Sequence, residues 1–275
     1  MKVADAVKSF QQYQARKVKH GTEKGYTYLL KSLSSRFGRR SVRSITSKEI
    51  RQFLTSMTRG HSPGTKRLRW NQTKAFFTYC IRDLNVPMTN PCAAEEVKRA
   101  FKMEPIPKKP SDQKRIERIF PKVKKERDKV IMGLLGKVGF EAGELLALRA
   151  SDVWGRKVKV GPRNYAYLPK TLALTLKKYI KDRGIGSRER IFKLSYSGLR
   201  LIVLRYGSLV NLQITPNDLR KHAGIVAYGK GVPLEFISRI MYRHKSLETT
   251  MRYLGLSRLP HTQKELYEWV DSLEK

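Results

Sequence analysis

His244 and Tyr253 bracket the polar stretch HKSLETTMRY, nine residues apart, and Arg220 precedes the histidine by 24 residues. A tyrosine so placed is either one more packed aromatic on a helix or a nucleophile. A phenol ionises near pH 10, so a nucleophilic tyrosine needs cations beside it that lower the cost of losing its proton. Guanidinium groups suit phosphate oxygens because they donate two parallel hydrogen bonds at fixed geometry. An imidazole can donate to a phosphate or to a leaving oxygen. Taken singly, Tyr253 reads as a helix aromatic, His244 as a capping or surface histidine, and Arg220 as a surface arginine at a helix start. Only their company makes a site of them.

Composition names the polyanion such a site would meet. The 275 residues carry 58 Lys and Arg against 23 Asp and Glu, a formal charge of +35, with pI near 10.4. So large an excess repels itself unless a polyanion is the usual partner. Nucleic acid fits, because neutralised phosphates release counterions and drive binding. Both halves of the chain share the excess, so the folded parts, not a basic tail, face the polyanion. Hydrophobic residues make up 40%, enough for real cores. Cys80 and Cys92 are not at metal-site spacing and suggest no disulfide framework. The N-terminus MKVADAVKSF does not have the form of a signal peptide, and no apolar run approaches membrane-spanning length. The expectation is a cytoplasmic, nucleoid-associated protein with no metal and no cofactor.

The elements that would position these residues follow from periodicity. Helices are expected over 3–18 and about 22–37. A third is opened by a capping box at Thr46 and Glu49, and a fourth starts in SPGTKRLRW with Trp70, Phe76, Phe77, Cys80 and Ile81 inside. NPCAAEEVKRAF has the form of a short closing helix. This gives a small all-α bundle over 1–103. KMEPIPKKP, with three prolines and three lysines, is the linker, placed at 104–110. A catalytic-type domain over 111–275 follows. It is α-rich, with GELLALRASDV read as a helix ending near 151–152, a β-hairpin at about 156–168, and helices over SYSGLRLIVLRYGSLV, TPNDLRKHAGIVAYGKG and PLEFISRIMYR. Leu266, Trp269, Val270 and Leu273 form an apolar stripe on a closing helix. The fold class is mainly α with a small sheet.

That outline resembles the tyrosine recombinases, the phage-type integrase family. TPNDLRKHAG is similar to the family's second-arginine box, His-x-x-Arg after Thr-Pro, with Arg220 matching the arginine and Asn217 standing where His is usual. RHKSLETTMRYLG resembles the terminal box, a Gly-His, a polar run, Thr-Thr, and a Tyr nine after the His. VGFEAGELLALRASDV resembles the first-arginine box, Gly-x-Arg-x-x-Glu-Leu followed by Leu-Arg-x-x-Asp. The resemblance implies a helical core-binding domain, attack of Tyr253 on a DNA phosphodiester to give a 3′-phosphotyrosine and a free 5′-hydroxyl, and reversal without ATP or metal. It makes Arg220 a phosphate clamp, His244 a phosphate hydrogen-bond donor, and Asn217 at most a neutral donor. A lysine of the hairpin is implied as general acid. Lys159 before the turn and Arg163 within it are the candidates, and Lys159 is the better acid because arginine hardly deprotonates.

One position departs. Glu141 stands where the first arginine belongs. At about 4 Å a carboxylate repels phosphate by about 1 kcal/mol in water and about 4 at an effective dielectric of 20. Loss of a clamp donor adds about 2–4 kcal/mol by analogy with oxyanion holes. Three outcomes are open: another arginine enters, Glu141 turns away, or the enzyme is impaired. Arg149 is a poor substitute, two helical turns on, and Glu144 is expected to be structural. Lys66, Arg67, Arg69 and Lys74 lie on the fourth helix among aromatics and suit either a DNA groove or a solvated face. His20 and His222 are read as structural.

The leading reading is a site-specific recombinase or integrase, in a phage, mobile-element or chromosomal setting, acting on double-stranded DNA as a tetramer linked through the C-terminal helix. The alternative is a catalytically impaired DNA-binding protein of the same fold. An RNA-binding reading has no module signature behind it.

Overall fold

The computed structural model describes residues 1–17, 20–102 and 112–256. The chain divides into two compact units, Met1–Lys108 and Lys109–Lys275. The proposed linker and the C-terminal apolar stripe lie outside the described residues.

The first unit is built of α1 (Val3–Lys17), α2 (His20–Phe37), α3 (Ser47–Met57), α4 (Pro63–Arg82) and the short α5 (Glu95–Phe101). Thr46 caps α3 through a reciprocal box with Glu49, as the sequence suggests. Ser62 caps α4, with Pro63 in its first turn. The core collects Phe10, Leu30, Leu33, Ile50, Phe76 and Phe77 from four helices. Trp70 is buried, and its indole N–H donates to the Cys92 carbonyl at 3.1 Å, which ties α4 to the turn before α5.

The second unit opens with α6 (Gln113–Glu117) and α7 (Glu126–Gly133), which runs on into a wide π turn, Leu134–Val138. Next come α8 (Ala142–Ala147) and a three-stranded antiparallel sheet, β1 (Val153–Trp154), β2 (Lys157–Val160) and β3 (Asn164–Tyr167). α9 (Lys170–Asp182), α10 (Tyr196–Ser208), α11 (Pro216–Gly229) and α12 (Leu234–Phe236) follow. A second π turn, Ile237–Tyr242, extends α12, and α13 (Leu247–Leu254) ends the described chain. The core is formed by Val130, Leu134, Phe140, Leu145, Val158, Leu176 and Leu199, with α11 laid against the first wide turn.

Two expectations need correction. The helix read through GELLALRASDV stops at Ala147, because the chain then zips onto a neighbouring segment. Ile191 N–H donates to Leu148 O, Ser151 N–H to Ser187 O, and Ala150 N–H to Glu189 O. These bonds take the backbone groups a longer helix would have used. The hairpin gains a third strand, β1, whose two residues pair Val153 with Val158 and Trp154 with Lys157. Neither π turn was visible as such in the periodicity, since a single wide turn shifts the apolar face by only one residue.

Candidate active site

The two wide turns matter because each ends beside the residues of interest. Gly139 terminates the first at φ 80°, and Arg243 terminates the second at φ 57°. Glycine reaches that left-handed region freely. Both turns pack on α11, which carries Asn217 and Arg220 on its first turns. Thr215 caps α11 in a reciprocal box with Asp218, so the helix start is fixed by its own sequence.

Arg220 is buried. Its Nη1 donates to Gly139 O and its Nη2 to Tyr242 O at 2.7 Å, so one guanidinium joins the two turn ends. Nη2 also donates to Glu141 Oε1 at 3.0 Å. Burial pulls the Arg220 pKa down, Glu141 and Glu144 oppose that, and Arg243 adds to it. An arginine nonetheless stays charged in a protein. Tyr242 is held behind it. Its ring lies 5.0 Å from the Arg220 guanidinium carbon, and its hydroxyl donates to the carbonyls of Arg220 at 3.1 Å and Lys221 at 3.2 Å. Burial pushes this phenol far above its ordinary pKa, which makes it structural.

Tyr253 projects from α13 toward the start of α11. Its hydroxyl donates to Asn217 Oδ1 at 2.7 Å and to Asn217 O at 3.1 Å. Its ring meets Tyr242 edge-on at 5.0 Å and His244 at 5.6 Å. Burial pushes its pKa up to about 12; Arg220 pulls it down, while Asp218 and Glu141 push it further up. His244 packs against Tyr242 with ring centroids 5.1 Å apart, and its Nδ1 lies 2.8 Å from Thr250 Oγ1. If the threonine hydroxyl is the donor, the neutral ring carries its proton on Nε2, the tautomer a phosphate donor needs. Burial, then Arg220, hold the His244 pKa below its ordinary value, with Glu141 opposing and Arg243 adding.

Arg220, His244, Tyr253 and Asn217 are thus brought together from α11, the turn after Arg243, and α13. Glu141 joins them at the N-cap of α8, and it does not turn away: its carboxylate pairs with the Arg220 guanidinium. Arg149 lies elsewhere, donating to Arg188 O at 3.0 Å. Sequence reasoning missed Arg243. Its Nε donates to Glu144 Oε1 at 2.8 Å, its Nη2 to Glu144 Oε2, and the same Nη2 lies 3.4 Å from Gly139 O. The visible signal was an arginine in the terminal box where glycine precedes the histidine.

Lys159 pairs with Tyr165 across β2 and β3, opposite in face to buried Val158 and Val160, and Arg163 is exposed in the turn. Among the described residues no hydrogen bond or ion pair links either to the Arg220 group. On α4, Arg67 lies over Trp70 at 4.3 Å and Lys74 over the same ring at 5.4 Å. Lys66 is half-buried. Arg69 is committed inside its own unit, donating to Gly25 O at 2.6 Å and Gln72 Oε1 at 3.0 Å. His222 is buried with Nδ1 2.6 Å from Gln113 Oε1, a structural place. No group of three metal-ligating side chains occurs among the described residues.

A helical first unit and a mixed second unit, the latter with tyrosine, arginine and histidine on one face, define the class of DNA strand-breaking and rejoining tyrosine recombinases. The chain matches the models for the phage integrase N-terminal SAM-like domain over residues 7–85 and for the phage integrase family over residues 111–258. It belongs to the phage integrase family. It is 24% identical over 254 residues to tyrosine recombinase XerA of Saccharolobus solfataricus, covering 86% of this chain and 83% of that protein. In fold it is similar to the Tn1549 transposon integrase in complex with circular intermediate DNA, with TM-score 0.74, 18% identity, and 98% of this chain and 99% of that chain covered. It is also similar to a lambda integrase tetramer bound to a Holliday junction, with TM-score 0.67, 20% identity, and 90% of this chain and 78% of that chain covered.

Proposed function

We propose that the protein is a site-specific DNA recombinase whose Tyr253 cleaves one strand of double-stranded DNA per protomer. The phenolic oxygen forms a bond to phosphorus and the bond to the 5′ oxygen breaks. The tyrosine proton leaves, and the 5′ oxygen receives one from a general acid. Attack by a 5′-hydroxyl on the phosphotyrosine reverses every step, so bond energy is conserved. Arg220 clamps the non-bridging oxygens. His244 Nε2 donates to one of them. Asn217 holds the resting tyrosine hydroxyl and can donate one neutral bond to phosphate. Lys159 is the general acid, reaching the leaving oxygen once the hairpin meets DNA, and Arg163 beside it contacts the backbone.

The observation that carries this reading is the convergence of Tyr253 and Arg220, 33 residues apart, on Asn217 and Glu141, with His244 edge-on to the phenol. In the same reading residues 1–103 form the core-binding domain, with Lys66, Arg67 and Lys74 of α4 toward DNA, and residues 104–110 link it to the catalytic domain. The C-terminal stripe joins protomers into a tetramer on DNA, a helix-in-groove mode. No helix among the described residues is long and apolar enough to cross a membrane, and DNA as substrate places the protein at the nucleoid.

Covalent trapping tests it. The protein is incubated with nicked duplexes spanning the DNA beside its own gene and run on a denaturing gel. A shifted band that disappears in Tyr253→Phe supports cleavage. Tight site-specific binding with no band in the wild type or in Glu141→Arg sinks it. Glu141 against Arg220 favours one second reading, a DNA-binding descendant that no longer cuts. A band appearing only in Glu141→Arg would select that one.

A further inference from the structure

Four charged side chains form one connected group. Arg220 pairs with Glu141 at 3.0 Å, Arg243 pairs with Glu144 through both nitrogens of one edge, and Arg220 Nη1 lies 3.6 Å from Glu144 Oε2. Their formal charges cancel. Without Arg243 the remaining three sum to −1, and Glu144 falls to Arg220 as its nearest cation. Arg220 would then answer to two carboxylates and have no net charge to offer a phosphate, whose non-bridging oxygens gain charge as the phenol attacks.

The backbone supports the same conclusion. Three residues other than glycine have positive φ among the described residues, Asn85, Asn211 and Arg243. Asparagine tolerates this region; a long side chain on an ordinary Cβ does not. At the matching end of the other wide turn the residue is Gly139. His244 N–H closes the turn onto Ser238 O at 2.9 Å, a bond glycine at 243 would allow equally well. The backbone therefore gives no reason for an arginine here, and the reason lies in what its side chain holds. That side chain is 4% exposed, a depth at which an unpaired guanidinium is not found.

We propose that Arg243 is the charge-balancing residue of the clamp, standing in for the arginine absent at position 141. It neutralises Glu144, which lies 3.6 Å from Arg220, so that once Glu141 moves into solvent Arg220 faces the phosphate with an uncompensated positive charge. Arg243 is a positioning residue, acting through Glu144 and Arg220. The proposal rests on the reading of Tyr253 as a nucleophile.

The test uses the full chain with Arg243→Gly, Arg243→Lys and Arg243→Gly/Glu144→Gln. Glycine suits the left-handed turn, so the single variant is expected to fold; lysine keeps the charge if it does not. Single-turnover formation of the covalent band should fall by about a hundredfold in Arg243→Gly, the scale of losing one preorganised electrostatic partner. Arg243→Lys should keep most of the rate, and the double variant should regain most of it, because removing the carboxylate rebalances the site. A rate unchanged in Arg243→Gly overturns the proposal, as does a double variant as slow as the single at equal melting temperature. Should the wild type form no covalent band at all, the nucleophile reading fails by itself, and the charge argument is decided by NMR titration of His244 without DNA. Removing Arg243 must then raise the His244 pKa; no shift means its charge does not reach the site.

Discussion

Glu141 stands where the family resemblance places the first arginine, and its proposed effect follows from the geometry. Its Oε1 lies 3.0 Å from Arg220 Nη2, on the edge that a scissile phosphate would share in the proposed function, and its side chain is 57% exposed. Two anions then compete for one edge, or sit about one contact apart if both remain. At about 4 Å their repulsion is about 1 kcal/mol in water and about 4 at a dielectric of 20. More than half of the carboxylate meets solvent, so the water limit weighs more, and about 1–2 kcal/mol is the working figure. A step of about 1.4 kcal/mol is tenfold in rate. Glu141→Gln keeps the shape and removes the charge, so the single-turnover rate of covalent complex formation on a nicked duplex should rise about tenfold. Glu141→Arg reverses the charge and adds a donor, and should exceed the glutamine variant. Both gains should shrink between low and moderate salt, because the screening length at 0.1 M is about 10 Å and the groups are partly open to solvent. A glutamine variant no faster than wild type, or an advantage indifferent to salt, would refute the reasoning. Glu141 would then be spectator or participant, not competitor.

Three further outcomes follow from the same site. The ionisation of Tyr253, read as the absorbance difference between wild type and Tyr253→Phe on alkaline titration, should centre near the burial-raised value of about 12 and move down in Glu141→Gln, since Glu141 helps to raise it. A phenol pKa raised above the free value near 10 contributes stability that is complete below that pH and lost as pH climbs toward the folded value, so wild type should lose melting temperature faster than Tyr253→Phe over that window. Gly224→Ala should destabilise the second unit by about 1–3 kcal/mol, as overpacking does, because an added Cβ would fall 1.9 Å from the Tyr242 hydroxyl. Chemical denaturation measures it, and the covalent-trapping rate should fall with it as Tyr242 O is displaced from Arg220.

What the sequence disclosed and what it withheld divide along physical lines. The start of α3 was legible because its signal, Thr46 with Glu49, is local; the caps of α4 at Ser62 and of α11 at Thr215 with Asp218 are local in the same way, though neither was singled out from the sequence. Arg220, His244 and Tyr253 were singled out by the family resemblance, and α11, the turn after Arg243 and α13 bring them close together. The end of α8 at Ala147 was not legible, since what stops the helix is a pairing with residues 187–191, some forty positions away in sequence. The wide turns were hidden because a one-residue bulge barely disturbs hydrophobic periodicity. Arg69 read as a free cation on a basic helix, yet it bonds Gly25 across to α2. Charge is visible in sequence; whether a partner already holds it is not.

The same distinction bears on Arg243 and Glu141. A clamp requires positive charge at a point in space, and a sequence motif reports only one of the chain positions that can deliver it. Here two wide turns converge on α11, and either turn end can bring a side chain to Glu144 and Arg220. Glycine at 139 contributes only its carbonyl, which Arg220 takes up, while arginine at 243 contributes a guanidinium at the expense of backbone ease. Of the carboxylates, Glu144 is held by Arg243 and by the Glu141 N–H at 2.7 Å, and is mostly buried. Glu141 pairs with Arg220 through one carboxylate oxygen, and its side chain is 57% exposed. In this arrangement Glu141 is the group able to leave when phosphate arrives, and Arg220 is the group that cannot move. In the proposed function such a site rests self-paired without DNA, with the Tyr253 hydroxyl donating to Asn217, and becomes cationic when a phosphate displaces its internal anion. The phosphate must therefore be presented by tightly bound DNA, which fits a chain of charge +35.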